Sequence, residues 1–374
     1  MITVFGSKVG KEEISNVVSS MEQQWMGFGK VVNQFEEAFS KKFDVPNFAM
    51  VDSGSNALFM AVSLLNLPKG SEVILPSFTW VSCAQAILLA GMKPVFCDVD
   101  VNTMNVTTKD IEQKITSNTR AIMIVHYAGL PVEMDEIKTF GLPIIEDAAH
   151  AVDSKYKGTH CGNIADVGIY SFDAVKNLTA GEGGGIASTK SEFIERAKML
   201  RYCGIGKSGF DAAVSSAKGK NRWWEYNISE PFIKMLPTNI AAGIASAQLE
   251  KIDELQASRK RIWDIYQKEF EKLSWLTKPM EANEGDRHSY FTYCIRTPKR
   301  DELAHYLLEN DIYTTLRYHP LHLNKLYGQM DARLKNSEIF NEDCLSIPLH
   351  PRLTDEDVEK IINQIEQFGK LNNL

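Results

Sequence analysis

From Asn47 onward the chain alternates short apolar runs with helical patterns, and this constrains its fold more than any other feature. The runs fall at 48–51, 72–75, 94–97, 121–125, 143–146 and 167–172, and apolar residues recur at helical spacing over 56–65 and 81–90. Short unbroken apolar runs suit strands covered on both faces. The spacing therefore predicts an α/β fold, a mainly parallel sheet with helices on both sides. Such sheets take ligands in the crevice beyond the carboxyl ends of their strands, so the residues that follow each run are where chemistry is expected.

The flanking segments fill out the plan. Ile14, Val17, Val18 and Met21 predict an amphipathic helix over 11–24, ended by Trp25-Met-Gly-Phe-Gly-Lys30, and Phe35, Ala38 and Phe39 mark a second over 31–43. A helix over 190–200 precedes a polar, small-residue-rich stretch at 210–220 that reads as a mobile surface loop, and then Trp223-Trp-Glu-Tyr-Asn227. A long helical pattern runs over 238–273. At 374 residues the chain exceeds what one core usually serves, and 44% hydrophobic residues suffice for two. The boundary is placed inside this helix, giving a large domain over 1–251 and a small α+β domain over 252–374, with strands at 290–297 and 313–316 and helices at 301–310 and 354–368.

A net charge of −7 and the lack of any basic block argue against a nucleic-acid surface. A phosphate-bearing small molecule can still bind locally. Met1-Ile-Thr-Val-Phe-Gly-Ser-Lys lacks the pattern of a signal peptide, and no stretch reaches ~18 consecutive apolar residues, so no membrane partner and a cytoplasmic location are expected. The six cysteines are scattered without a C-x-x-C pair, which indicates neither a metal site nor a disulfide framework.

Polar residues gather after the apolar runs. Asp52-Ser-Gly-Ser-Asn-Ala57 opens a helix whose free N–H groups suit a phosphate, although serine and asparagine are also ordinary helix caps. Trp80, in Pro76-Ser-Phe-Thr-Trp80, is placed either to stack on an aromatic ring or to fill the core. Asp147 can pair with a protonated pyridine nitrogen or cap the next helix. After 167–172 comes Lys176, then Gly181, Gly183, Gly184 and Gly185 crowd where the chain must reverse. A lysine so presented can bond to a carbonyl cofactor, or it is a surface charge beside a glycine loop.

Glu146-Asp-Ala-Ala-His-Ala151, followed by Ser171-Phe-x-x-x-Lys176-Asn-Leu-Thr-x-Gly-Glu-Gly-Gly184, resembles the DegT/DnrJ/EryC1/StrS family of sugar aminotransferases. Pro76-Ser-Phe-Thr-Trp80-Val-Ser, Val125-His-Tyr-Ala-Gly129 and Glu146 to Ala151 look most like its branch acting on 4-keto nucleotide sugars, which includes an enzyme of lipid A modification and so points to lipopolysaccharide biosynthesis. The resemblance implies the type I fold of pyridoxal 5′-phosphate (PLP) enzymes, with a seven-stranded, mainly parallel sheet and a small C-terminal α+β domain. It makes Lys176 the Schiff-base lysine and proton shuttle, Asp147 the partner of the pyridine nitrogen, Trp80 the stacking ring and His150 a neighbour of the cofactor's 3-hydroxyl. Ser55, Asn56 and Ser171 would hold the phosphate. Asn227 would reach the partner subunit's cofactor in a homodimer with shared sites, although the run Ile228-Ser-Glu-Pro-Phe-Ile-Lys-Met-Leu-Pro237 departs from the family pattern there. Arg317 and His319 would approach the nucleotide sugar, or are structural surface residues.

The activity implied is ping-pong transfer of an amino group from glutamate to a keto nucleotide-linked sugar of the 4-keto-6-deoxy type. Two alternatives stay open, a sugar dehydratase on the same fold and a non-catalytic regulatory protein. The lysine at 176 counts against the first, and the pairing of Asp147 with Lys176 against the second.

Overall fold

The apolar runs pair as strands. The computed structural model describes residues 1–206 and 226–374, so the stretch at 210–220 and residues 223–225 lie outside the described residues. In chain order the strands are β1 (Phe48–Val51), β2 (Glu72–Pro76), β3 (Lys93–Cys97), β4 (Thr119–Val125), β5 (Ile144–Asp147), the short hairpin β6 (Lys155–Tyr156) and β7 (Thr159–His160), β8 (Val167–Ser171), β9 (Gly184–Ala187), β10 (Tyr293–Arg296) and β11 (Cys344–Ile347). Seven form the main sheet, in the order β1-β9-β8-β5-β4-β2-β3. All its pairs are parallel except those of β9, which runs antiparallel to β1 and β8.

Helices α1 (Lys11–Glu22), α2 (Lys30–Phe43), α3 (Gly54–Leu64), α4 (Val81–Leu89), α5 (Thr108–Glu112), α6 (Met134–Lys138) and α7 (Ser191–Leu200) surround the sheet. Alternate strand residues enter different cores: Leu75, Met123 and Ile145 join Ala57, Met60 and Ile87 of α3 and α4, whereas Ile74, Ile122 and Ile144 join Ile111 and Ile137 of α5 and α6. Each fully buried side chain of this kind contributes about 1.5–3 kcal/mol, which is why both faces of each strand are apolar. Phe39 of α2 stacks on Phe48 at 4.1 Å and meets Tyr170 edge-on, fixing the β1 end of the sheet.

Three expectations are corrected. The reversal after Lys176 is present, but Gly184 and Gly185 belong to strand β9 rather than to a turn, and it is Gly181, with φ +80°, that makes the turn. The helix expected over 238–273 is two helices, Asn239–Glu250 and Ile252–Glu269, separated at Lys251. The segment 313–316 is no strand; it makes one bridge, Thr315 to Ser346, because Tyr313 N–H is committed to Ile2 O instead. Helix α1 forms where the pattern placed it, and it turns its apolar side outward. Ile14 (61%), Val18 (45%) and Met21 (51%) are exposed, while buried Glu13 and Ser20 dock the helix on Asn239–Glu250.

Beyond Lys251, β10 pairs antiparallel with β11. Trp263, Tyr266, Tyr293, Leu303 and Ile361 pack with them into a core of their own. Among the described residues no helix is long and apolar enough to cross a membrane.

Candidate active site

The carboxyl ends of β1, β2, β5 and β8 open on one cavity of about 490 Å³, a size that accepts a small-molecule ligand. Asp147 closes β5. Its Oδ1 accepts the Ala149 N–H at 2.9 Å and its Oδ2 accepts the Cys83 thiol at 3.0 Å, so the carboxylate is held from two sides. Behind it, Glu146 is fully buried and accepts N–H groups from Gly162, Ile164 and Ala165 at 2.6–2.8 Å. His126 Nδ1 accepts the Val132 N–H, so its proton sits on Nε2 and is donated to Glu146 at 3.1 Å. This satisfied polar network fixes the strand end that carries Asp147.

Lys176 stands on the loop between β8 and β9. Phe172 N–H to Gly183 O and Ala180 N–H to Phe172 O close that loop at its base, and Asp173 accepts the N–H groups of Val175 and Lys176. The amine lies 4.8 Å from the Phe291 ring centroid. Burial, then the charge of Arg317, lower the lysine to about 8, against the opposing pull of Asp147 and Asp173.

At the opposite wall, Ser53 caps α3 by accepting the Asn56 N–H at 3.2 Å, and Ser55 Oγ lies 2.7 Å from Ser82 Oγ. Ser171 faces them. A Cβ at Gly54 would meet that of Ser171 at 2.8 Å, and one at Gly184 would meet the Ser53 carbonyl carbon at 2.4 Å, so both glycines let the helix start approach β8 and β9. Several hydroxyls and the N-terminus of α3 thus converge in a cradle suited to a phosphate.

Trp80 is 53% exposed on the cavity wall, 5.6 Å from the Tyr318 ring, and is not core. His150 stacks on Phe291 at 4.0 Å, and its Nε2 lies 2.9 Å from Tyr318 Oη. Burial, then Lys176 and Arg317, push its pKa well below the ordinary range, so the ring is neutral. Tyr318 Oη also accepts from Arg317 Nη1 at 3.1 Å, and His150 Nδ1 is buried with no partner among the described residues. The Arg317 guanidinium lies 3.7 Å from the Phe5 ring and 5.2 Å from that of Phe291, and among the described residues no carboxylate pairs with it. It is a half-buried cation facing the same space as Lys176.

Of the residues singled out from sequence, Ser55, Trp80, Asp147, His150, Ser171, Lys176 and Arg317 line this cavity. Asn56 does not, since its side-chain amide donates to Asp52 at 2.8 Å. His319 is exposed and bonded to Asn341, and Asn227 is exposed beside the bridge of Ile205 with Ile228; neither lines the cavity. Sequence reasoning passed over Ser53, Ser82, Cys83, Phe291 and Tyr318. Ser53 and Ser82 stood inside quoted motifs, whereas Phe291 arrives from the distant C-terminal region without local signal.

Known aminotransferases resemble this chain along nearly its whole length. A dTDP-4-dehydro-2,3,6-trideoxy-D-glucose 4-aminotransferase from Saccharopolyspora spinosa is 35% identical, the match covering 98% of this chain and 96% of that one. The aminotransferase TlmJ of Streptoalloteichus hindustanus superposes with a TM-score of 0.93 at 33% identity over 100% of both chains. The PLP form of a putative sugar aminotransferase, Spr1654, from Streptococcus pneumoniae superposes at 0.87 with 26% identity over 98% of both chains. The profile of the DegT/DnrJ/EryC1/StrS aminotransferases matches residues 7–366, nearly the whole chain, and the protein belongs to that family.

Proposed function

We propose that this protein is a PLP-dependent aminotransferase that moves an amino group from glutamate to a keto nucleotide-linked sugar, of the 4-keto-6-deoxy type, by a ping-pong mechanism. The observation that carries this reading is the convergence of Lys176, Asp147 and Arg317, which no carboxylate pairs among the described residues, on one cavity whose far wall is a hydroxyl-lined helix start suited to a phosphate. The pocket fits the cofactor. Ser53, Ser55, Ser82, Ser171 and the start of α3 would hold its phosphate, with Asn56 bracing the turn through Asp52. Asp147 would face the ring nitrogen, Trp80 would cover the ring, and His150 would lie by the 3-hydroxyl. When bound, PLP supplies an electron sink for the carbon that gains or loses the amine.

The chain's own residues do the rest. Lys176 near pKa 8 is about one-tenth neutral at pH 7, enough to bond to the cofactor and, once freed, to take the proton from the donor's α-carbon. In the second half-transfer Lys176 Nζ returns a proton while the amine passes to the sugar. Arg317, steadied by Phe5 and Tyr318, would bind a substrate anion, and exposed His319 on the same turn would meet the outer part of the nucleotide.

The same reading includes a cytoplasmic homodimer, a division into domains at 251/252 and a place in lipopolysaccharide biosynthesis. The exposed apolar side of α1 and the position of Asn227 support the dimer. The break at Lys251 and the separate C-terminal core support the division. The pathway rests on the resemblance of the motifs at Pro76 to Ser82, Val125 to Gly129 and Glu146 to Ala151.

Incubation with glutamate and a panel of nucleotide-linked keto sugars, followed by mass spectrometry, tests the activity. The expected result is 2-oxoglutarate and amino sugar in equal amounts. A deoxy keto sugar with no nitrogen retained would make the protein a dehydratase instead.

A further inference from the structure

The Asp147 carboxylate has a partner that no motif announced. Cys83, in the first turn of α4, is fully buried, and its sulfur lies 3.0 Å from Asp147 Oδ2 and 3.3 Å from Thr79 Oγ1. A carboxylate can only accept, so the single thiol proton is committed to Asp147. The sulfur is then left to accept, and the Thr79 hydroxyl must donate to it. The direction of the chain is fixed: Thr79 to Cys83 to Asp147. Burial, then the neighbouring charge of Asp147, push the thiol well above its ordinary range, so it remains a donor across the working pH.

We propose that Cys83, steadied by Thr79, is a positioning residue of the active site: it holds the carboxylate of Asp147 in the orientation that faces the cavity. The inference rests on the aminotransferase reading for its consequence, though not for its geometry. The Ala149 N–H engages Oδ1 through the local turn, but one hydrogen bond leaves the carboxylate as a whole able to twist about the Cβ–Cγ bond. The thiol removes that freedom from a neighbouring helix. Alanine would fill most of the space and leave Oδ2 with no partner, whereas serine keeps a donor of similar reach.

The hydrogen bond and its consequence are tested separately. Infrared difference spectra between parent and Cys83→Ala protein isolate one S–H stretching band from those of the other thiols. That band should be broadened and lowered in frequency, and it should move up again when Asp147→Ala removes the acceptor. Should Cys83→Ala fail to fold, the parent minus Cys83→Ser spectrum isolates the same band. In the holoenzyme, Cys83→Ala should lower kcat about tenfold with little change in the sugar's KM, and should shift the visible absorption band of the bound cofactor and its pH titration. Cys83→Ser should recover most of both. Thr79→Val should lower kcat in the parent and add nothing in the Cys83→Ala background, because the two act through one contact. An S–H band indifferent to Asp147→Ala, or a Cys83→Ala enzyme with parental absorption and turnover, overturns the proposal. Since the infrared result needs no catalysis, a parent protein that transfers no amine would overturn the functional reading and leave this one standing.

Discussion

A lysine and an arginine beside one aromatic ring repel each other, and the site uses that repulsion. Lys176 must be neutral to attack a carbonyl, so the rate at which cofactor-free protein captures PLP should rise with pH, pass its midpoint at about 8 and then level. Arg317→Ala removes the second-largest cause of the depression, so the midpoint should move up toward the ordinary lysine range. The same variant should lose about 10- to 100-fold in kcat/KM, the worth of a charge-assisted bond to a substrate anion. A capture profile that superimposes on the parent's would show that Arg317 does not set the lysine's basicity. Asp147→Asn should still bind the cofactor yet slow transfer at least about a hundredfold, the scale of a lost electrostatic stabiliser, because an amide cannot sustain a protonated ring nitrogen. Near-parental turnover would remove Asp147 from the chemistry. Lys176, Asp147 and Trp80 were legible because each stands at a strand's end beside a motif of its own. Cys83, Phe291 and Tyr318 were not, since their places depend on which helix or distant segment packs there, and no local pattern encodes that.

At the scale of elements, the strands buried on both faces were the readable ones, because water must be excluded from each side of Val73–Leu75 or Ala121–Val125 and every position is therefore apolar. Strand β9 was not, because Gly184 and Gly185 are selected for close approach rather than for strand character: a side chain there would strike Ser53 or the Phe48 ring. The α1 pattern was legible as a helix, but the direction of its apolar side was misleading without knowledge of what covers it. Gly184→Ala tests the approach. The added Cβ meets backbone rather than a flexible side chain, so stability in chemical denaturation should fall by about 1–3 kcal/mol, the usual cost of overpacking. The cradle should loosen with it, giving weaker PLP binding as α3 retreats from Ser171. A variant with parental stability and cofactor affinity would mean that the Ser53 turn shifts freely and is not held by β9.

For the whole molecule, the open question is what covers α1. Ile14, Val18 and Met21 lie along one helix with exposed Trp25 and Met26 just beyond, a cluster of exposed apolar side chains of the kind that marks an interaction surface. A second copy is the proposed cover, and a two-fold arrangement would bring the same surface from each chain together. Ile14→Glu with Met21→Glu should then produce monomers in sedimentation while leaving the fold intact, since both side chains touch solvent rather than core. Unchanged sedimentation would show that α1 lies outside the interface. Sharing of the sites is the stricter claim, because Asn227 is exposed and does not line the cavity of its own chain. Equal mixing of Lys176→Ala and Asn227→Ala chains, after dissociation and reassembly, gives hybrid dimers in half the population. If Asn227 serves the partner's cofactor, each hybrid carries one site with both residues intact, and activity should return to about a quarter of the parental value. If Asn227 serves its own chain, every site in the mixture lacks one residue or the other, and the mixture should be no more active than the average of its two inactive parents.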